Sequence, residues 1–459
     1  MPRRAAAAVG VRRTPLGPEG GSPPAPERRS DGRPWPRAAT WPLAVVAGGI
    51  PAAALVASTL LGLPGRFNDF SSYWLAGRLV AAGQSPYDLA ALTTLGRREG
   101  LDFLVGSGYS YPPPFAVAMV PLSALPFTFA AWLFSLVSAA AFGLAAAAWL
   151  ARAGLSTRRS LVLAALAGAY PPIVGSAYFG QANLLIVAVL VLAMDRLLPR
   201  DGGRGGRGSE LIAGLGIGLV GVVKLVPLVL LVPLLLGRRW VASAGLIAAA
   251  LGALLVAAVV APASGRGGSQ LAELLGADGF WSNQSLNGLA TRLVVPTDRT
   301  APLLPGLDPT VLGVAFLVLV ALPTAVALWS ARRSALAGGL GLGLSVALLA
   351  GIAGAPKDSF WNHAPALLAV AQLVPGRGAG TVVPARGLRL ALGAWYGGAW
   401  LEALVDRTEG GITRPLGPAG ALVSSLAILG LLALWAWLTA RLALGARAAE
   451  GRDAEVSAR

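Results

Sequence analysis

An isolated carboxylate near the start of the chain is the first residue that could do chemistry. Asp69 lies in the segment Arg66-Phe-Asn-Asp-Phe70, a few residues after a long apolar run. Ionisable groups in or beside a membrane are costly, so each one is a functional candidate. A carboxylate here can take the proton of a hydroxyl group if a neighbour orients it. The alternative is that Asp69 caps the helix that follows, and the residues alone leave both interpretations open.

Basic residues supply the complementary charge. Lys224 lies within the apolar stretch 210–237. An ammonium group in such a stretch must reach the surface or meet an anion, which is either a protein carboxylate or a lipid phosphate. Arg292, Lys357 and the only imidazole, His363, lie in polar segments between apolar ones. Each of these three residues also fits a structural role in a loop or at the start of a helix.

Neutral amides near these charges suit hydrogen bonding to hydroxyl groups. Gln181 and Asn183 lie at a turn between two apolar segments, and Asn283, Gln284 and Asn287 share one loop with aromatic residues. Helix capping and loop packing are the alternatives for these amides. With no cysteine and one histidine, the chain has no recognisable metal-binding cluster. We therefore expect neither a catalytic metal nor another cofactor.

The composition places all of these residues in a membrane protein. The 459 residues are 55% hydrophobic and 13% charged, about half of the ~25% charged residues that soluble proteins carry. A set of soluble domains is therefore excluded. The first apolar run starts near residue 41, too late for a signal peptide.

The apolar segments predict an all-α polytopic protein with about twelve transmembrane helices. Residues 1–40 form a disordered basic cytoplasmic tail, 41–440 the transmembrane domain, and 441–459 a cytoplasmic C-terminal tail. Arginines flank 210–237 at both ends, so this stretch is a helical hairpin that turns near 224–227. Residues 70–82 fit a helix lying in the membrane interface within the first extracytoplasmic loop. The single crossings are predicted at 42–63, 127–150, 160–177, 183–198, 241–261, 309–330, 334–354, 361–374, 387–405 and 416–440.

This topology explains the net charge of +16. Most of the basic residues fall on the cytoplasmic side, together with both termini, so the excess is an orientation signal and does not indicate nucleic acid. The candidate residues gather on the other side. The sequence thus predicts a multi-pass protein of the bacterial plasma membrane whose active site is at the extracytoplasmic face.

At this point the residues resemble glycosyltransferase family 87, polytopic mannosyltransferases of the GT-C superfamily. The resemblance runs from about residue 42 to 440. It rests on the following landmarks: Asn68-Asp69 with Tyr73, Gly83-Gln-Ser-Pro-Tyr87, Tyr111-Pro-Pro, Pro121-Leu, Leu125-Pro, Gly180-Gln-Ala-Asn183, Gly214 to Lys224-Leu-Val-Pro227, Asn283-Gln-Ser-Leu-Asn-Gly288 and Trp361-Asn-His363. It implies a GT-C fold and the inverting transfer of mannose from polyprenyl-phosphate mannose. The implied acceptor is a glycolipid of the phosphatidylinositol mannoside or lipomannan type.

The resemblance also implies roles for the candidate residues. Asp69 would be the general base. The departing phosphate would be bound, in order of preference, by Lys224, His363, Arg292 and Lys357. The sugar or acceptor would be held by Asn68, Tyr73, Gln181, Asn183, Asn283, Gln284, Asn287 and Trp361. One departure from the family pattern is Ala364, which stands where members commonly carry a second histidine.

Two alternatives remain open on the sequence. The first keeps the chemistry but changes the sugar, for example to arabinofuranose from a decaprenyl-phosphate donor. The second is a non-enzymatic transporter of lipid or solute. Transporters typically show internal repeats with matching broken helices, and the single predicted hairpin has no counterpart in the other half of the chain.

Overall fold

Helices make up the architecture throughout the described part of the chain. The computed structural model describes residues 37–101, 108–153, 155–198, 206–260, 276–332, 337–373, 385–408 and 411–457. Of the predicted N-terminal tail, residues 1–36 lie outside the described residues. The only β pairing within the described ranges is an isolated bridge between Asn283 and Ser359.

The first half of the chain contains eleven described α-helices. They are α1 (Arg37–Leu60), α2 (Asn68–Ala81), α3 (Leu89–Arg98), α4 (Pro113–Ser123), α5 (Phe127–Arg152), α6 (Thr157–Gly168), α7 (Pro171–Phe179), α8 (Asn183–Leu197), α9 (Arg207–Gly221), α10 (Leu231–Leu236) and α11 (Trp240–Val260). A 3-10 helix at Val226–Leu230 precedes α10. The break between Gly221 and Val226 coincides with the turn predicted near 224–227.

The second half contains seven more α-helices among its described residues. They are α12 (Leu286–Val294), α13 (Pro309–Ala331), α14 (Ala337–Gly354), α15 (Leu367–Ala371), α16 (Ala385–Arg407), α17 (Gly420–Val423) and α18 (Leu426–Ser457). Two 3-10 helices, Phe360–Ala366 and Arg414–Ala419, lead into α15 and α17. Most of the predicted C-terminal tail, 441–457, therefore continues α18.

Five stretches of the described chain are long and apolar enough to cross a membrane, namely Thr40–Leu60, Phe127–Arg152, Trp240–Val259, Pro309–Ala331 and Arg414–Ala446. The pair α6 and α7 also qualifies, although it is bent by 51°. These findings confirm the predicted helical, membrane-embedded class for the residues that the structure describes. Several other predicted crossings consist of shorter helices, and 361–374 contains a 3-10 helix and the five-residue α15. The total of twelve crossings stays a prediction.

Small residues allow the long helices to approach each other closely. A Cβ atom added to Gly214 of α9 would lie 2.0 Å from the Ala242 carbonyl oxygen of α11, and one on Gly143 of α5 would lie 2.5 Å from the Ala44 carbonyl oxygen of α1. Such contacts are typical of helix pairs in lipid, where backbone packing replaces hydrophobic driving force. The close approach packs α9 against α11 and α1 against α5.

A buried ion pair joins the start of α9 to the residues before α11. Arg239 Nη1 donates to Glu210 Oε1 at 2.7 Å, and both side chains are almost fully buried. Neither charge has access to much water, so each depends on the other for compensation.

Helix α2 carries Asp69 in its first turn, because it begins at Asn68 rather than at residue 70. The residue at its N-cap position is Phe67, in the left-handed conformation with φ of 59°, and no side chain caps the helix. The interpretation of Asp69 as a helix cap is therefore wrong. Most of the side chains of α2 are buried, including Tyr73 and Trp74. The indole nitrogen of Trp74 donates to the Leu125 carbonyl at 3.0 Å, which fixes α2 against the turn after α4.

Candidate functional site

The Asp69 carboxylate is partly buried and faces the segment that links α7 to α8. Its Oδ2 accepts a hydrogen bond from the Gln181 side-chain amide. The other oxygen, Oδ1, has no hydrogen-bond partner among the described residues. Burial raises the pKa of Asp69 above its ordinary value, although the Gln181 hydrogen bond and the charge of Lys224 act in the opposite direction. A carboxylate with a raised pKa is a stronger base.

A glycine turn brings the two predicted amides to this carboxylate. Gly180 ends α7 with φ of 68°, a conformation that glycine adopts without steric cost. A Cβ atom there would also lie 2.6 Å from Phe70 Cβ. The turn places Gln181 and Asn183 in the interior, where their exposed fractions are 4% and 0%. Gln181 can therefore reach α2 while Asn183 starts α8.

Asn183 is the centre of a polar network. Its amide nitrogen lies 3.0 Å from Ser176 Oγ and 2.9 Å from the Trp361 carbonyl oxygen, and it also donates to Gln181 Oε1. Its amide oxygen accepts from the ammonium group of Lys224 at 2.8 Å. Buried amides with several partners are held rigidly, because an unsatisfied polar group there would be costly.

Lys224 lies in the turn between α9 and the following 3-10 helix and is partly exposed. Its Nζ donates to the amide oxygens of Asn183 and Asn362. It also stands 5.6 Å from the centre of the Tyr111 ring, a distance at which the ring attracts a cation. An ammonium has three N–H groups, and the third has no acceptor within the described part of the chain. We call Asp69, Gln181, Asn183, Lys224 and Asn362 the Asp69–Lys224 network.

Tyrosines form one wall beside the network. The Tyr73 hydroxyl donates to the Tyr111 hydroxyl at 2.7 Å, and the Tyr87 hydroxyl donates to the Tyr111 carbonyl oxygen at 2.8 Å. Tyr73 is fully buried, whereas Tyr111 is partly exposed. Of these rings, Tyr111 is thus the one that combines exposure with contact to Lys224. The role predicted for Tyr73 in holding the sugar stays a prediction.

His363 is buried beside the network. Its Nε2 lies 2.8 Å from the Gln284 carbonyl oxygen and 3.6 Å from Asp358 Oδ2. A carbonyl oxygen only accepts, so Nε2 carries the proton in this arrangement. The imidazole is 1% exposed. The structure therefore brings His363 close to a second carboxylate but gives it no contact with Asp69.

The remaining predicted cations are engaged elsewhere. Arg292 is fully buried in α12, where its guanidinium donates to Ser425 Oγ at 3.0 Å and to the Asn283 carbonyl oxygen at 2.8 Å. Lys357 Nζ lies 3.6 Å from Asp278 Oδ2. The structure does not bring either cation into the Asp69–Lys224 network. Their predicted contacts with a phosphate stay predictions.

Three of the predicted amides hold the loop before α12. Asn283 Oδ1 accepts from the Asp358 backbone N–H at 3.0 Å, Gln284 Nε2 donates to the Ser424 carbonyl oxygen at 2.8 Å, and Asn287 Nδ2 donates to the Gly276 carbonyl oxygen at 3.0 Å. These bonds fasten the loop to the turn before the second 3-10 helix and to α17. They support the loop-packing alternative for these amides.

Two predicted residues lie at the edge of the network. Asn68 is next to Asp69, and its Oδ1 is buried with no hydrogen-bond partner among the described residues. The Trp361 ring packs against Gly175 of α7, since a Cβ atom there would lie 2.0 Å from the ring. Its ring centre is 5.1 Å from that of Phe179. Trp361 thus holds the second 3-10 helix against α7.

The sequence prediction missed three residues of this region: Tyr111, Asp358 and Asn362. Tyr111 lies inside the Tyr111-Pro-Pro landmark, whereas Asp358 and Asn362 each lie beside a residue that was predicted instead. Asn362 stands between Trp361 and His363, and Asp358 follows Lys357. For each of the three residues, this position was the only signal in the sequence.

Comparison with known proteins identifies a family. The family model described as Glycosyltransferase family 87 matches residues 109–356. The matched range includes Gln181, Asn183 and Lys224, whereas Asp69 and His363 lie outside it. No curated protein and no solved structure matches the chain.

Proposed function

Because this chain belongs to glycosyltransferase family 87, we propose that it transfers mannose from polyprenyl-phosphate mannose to a glycolipid of the phosphatidylinositol mannoside or lipomannan type. The family makes the chain a membrane glycosyltransferase, which decides against the transporter alternative. The transfer takes place at the extracytoplasmic face of a bacterial plasma membrane. Twelve crossings and two cytoplasmic termini belong to the same proposal.

The observation that carries the proposal is the hydrogen-bonded path from Asp69 to Lys224. It runs through Gln181 and Asn183 and ends at an ammonium with one unused N–H group. A base and a cation held in one rigid network match the two charges that change in this reaction. The base loses its negative charge as the leaving phosphate gains one.

Asp69 is the general base of the proposed reaction. The acceptor hydroxyl oxygen attacks the anomeric carbon of the sugar, and the hydroxyl proton passes to Asp69 Oδ1. The bond from the anomeric carbon to the phosphate oxygen breaks on the opposite face, and its electron pair leaves with the polyprenyl phosphate. The configuration at the anomeric carbon is therefore inverted. The raised pKa of Asp69 supports this role, because it makes the carboxylate a better proton acceptor.

Lys224 stabilises the leaving group. Its free N–H group is available to a phosphate oxygen, and a cation fixed by two amide oxygens needs little reorganisation when negative charge develops. His363, Arg292 and Lys357 follow it in this proposal, as secondary contributors. Asn68, beside the base and with an unused buried amide oxygen, is the amide best suited to a sugar hydroxyl.

The function is tested with membranes that contain the full chain, a glycolipid acceptor and radiolabelled polyprenyl-phosphate mannose. Thin-layer chromatography of the lipid extract reports transfer. We expect label in the acceptor from the mannosyl donor, and none from decaprenyl-phosphate arabinofuranose. Transfer from the arabinofuranosyl donor alone would overturn the sugar while leaving the reaction class intact.

A further inference from the structure

Asp358 is a buried acidic residue beside the Asp69–Lys224 network. The proposed reaction assigns no role to this residue. Its side chain is 4% exposed. One carboxylate oxygen, Oδ2, is buried without a hydrogen-bond partner among the described residues and lies 3.6 Å from His363 Nε2. An orphaned acceptor in a buried position calls for an explanation, since leaving one costs free energy.

The backbone on either side of Asp358 is fixed. Its N–H donates to Asn283 Oδ1 at 3.0 Å, and its carbonyl oxygen accepts from the Gln284 N–H at 2.7 Å. These bonds hold the backbone of Asp358 just before the second 3-10 helix, four residues before Asn362, whose side chain binds Lys224. The backbone from which the carboxyl group extends is therefore fixed near Asn362 and the ammonium that Asn362 binds.

Three titratable groups face Asp358. They are Lys224, which attracts it, the Tyr111 hydroxyl, and the neutral His363 imidazole. With Asp69 and Asp358 both ionised, the network carries two negative charges and one positive charge. A phosphodiester donor adds a third negative charge to a largely buried site, where unbalanced charge is expensive.

We propose that Asp358 sets the charge of the donor site, by balancing Lys224 as a carboxylate when the site is empty and taking up one proton when the anionic donor binds. This inference rests on the proposed function. Asp358 is a positioning residue, because it acts on the donor through Lys224. Protonation removes the excess negative charge and leaves Asp69 ionised for its role as the base.

Burial favours proton uptake at Asp358. It raises the pKa of this carboxyl above its ordinary value, and the opposing effects of Lys224 and Asn362 are smaller. Asp69 is a less suitable site for the proton. It is partly exposed and already accepts a hydrogen bond from Gln181.

The test measures donor binding as a function of pH. The probe is a short-chain isoprenyl-phosphate mannose, whose phosphodiester keeps a single negative charge throughout. The full chain is held in lipid nanodiscs without acceptor, and the Kd is measured from about pH 5 to about pH 9, the range in which buried carboxyl groups titrate. We expect the wild-type Kd to rise with pH, approaching ~10-fold per pH unit, because each binding event then takes up one proton.

The Asp358→Asn variant imitates the protonated side chain. We expect its Kd to be independent of pH, close to the wild-type value at the acid end and ~10-fold or more below it at the alkaline end. A merely structural role predicts weaker binding at every pH. Asp298→Asn makes the same change in charge at an exposed position and should keep the wild-type pH dependence.

Calorimetry of the wild type gives a result that does not depend on any variant. Binding in buffers of different ionisation enthalpy should report uptake of about one proton near the middle of the titration. If no protons were taken up, or if the pH dependence persisted in Asp358→Asn, the inference about Asp358 would be wrong, but the proposed function would not be affected. If the wild type did not bind the probe at any pH, the proposed donor class would fail as well.

Discussion

Replacing Lys224 by methionine tests the cation of the site. The side chain keeps about the same length but loses its charge, so Asn183 and Asn362 lose the donor that their amide oxygens share. Removing one preorganised donor to a developing anion typically costs a factor of ~100 to ~1000 in kcat. We therefore expect Lys224→Met to lower the transfer rate by that amount.

The same variant should also change the pH dependence of the reaction. The positive charge of Lys224 lowers the pKa of Asp69, so removing the charge raises that pKa further. The base is then protonated at a higher pH. The acid limb of the pH–rate profile for kcat/KM should therefore move to higher pH, an effect that general loss of folded protein would not produce.

Lys357→Met is the matched comparison, because Lys357 is the only other lysine of the chain. It pairs with Asp278 outside the network, so we expect a smaller loss of rate and an acid limb that does not move. The assay is initial-rate transfer from lipid-linked mannose over a range of pH. A Lys224→Met protein with the wild-type rate and an unmoved acid limb would refute the role of the cation.

The remaining predictions concern the stability of the folded protein. Gly175→Ala drives a Cβ atom into the Trp361 ring. We expect this variant to lose ~1 to ~3 kcal/mol of stability in thermal unfolding and to show a lower rate of transfer. Gly252→Ala is the control, because a Cβ atom there meets nothing within 4 Å. It should lower neither the stability nor the transfer rate. Arg239→Met leaves Glu210 buried without its partner. It should cost ~3 to ~5 kcal/mol, seen as lower yield and earlier unfolding in detergent, and an unchanged unfolding midpoint would contradict this.

Several residues of the site could be predicted from the sequence, because their residue types are unusual in their local surroundings. Asp69 and Lys224 stood out as charges in apolar surroundings, and Gln181 and Asn183 stood out as amides at a turn. The structure brings these four residues into one network. The sequence could not show that they are neighbours, because the turn at Gly180 lies against Phe70, which is distant in the chain.

Other parts depend on contacts between distant segments. The sequence suggests that Arg292 is free to bind a ligand. In the folded protein its side chain is buried, donates a hydrogen bond to Ser425 and interacts with the charge of Glu402. Asn362 looks like a spacer, yet the 3-10 helix Phe360–Ala366 turns it toward Lys224. Apolar content alone also fails to distinguish a spanning helix from a 3-10 helix followed by a short α-helix, so the count of crossings is harder to predict than the helical class.

The most direct test of the account is the Asp69→Asn variant in the membrane transfer assay. Asparagine keeps the shape of the side chain, and its amide oxygen can still accept the hydrogen bond from Gln181. It cannot take up the proton of the acceptor hydroxyl, so we expect the rate of transfer to fall by a factor of ~100 to ~10,000. Asp88→Asn is the control, because Asp88 caps α3 at an exposed position and asparagine caps equally well. Loss of transfer in Asp69→Asn with wild-type amounts of folded protein is the predicted result, and full transfer by that variant would contradict the central claim.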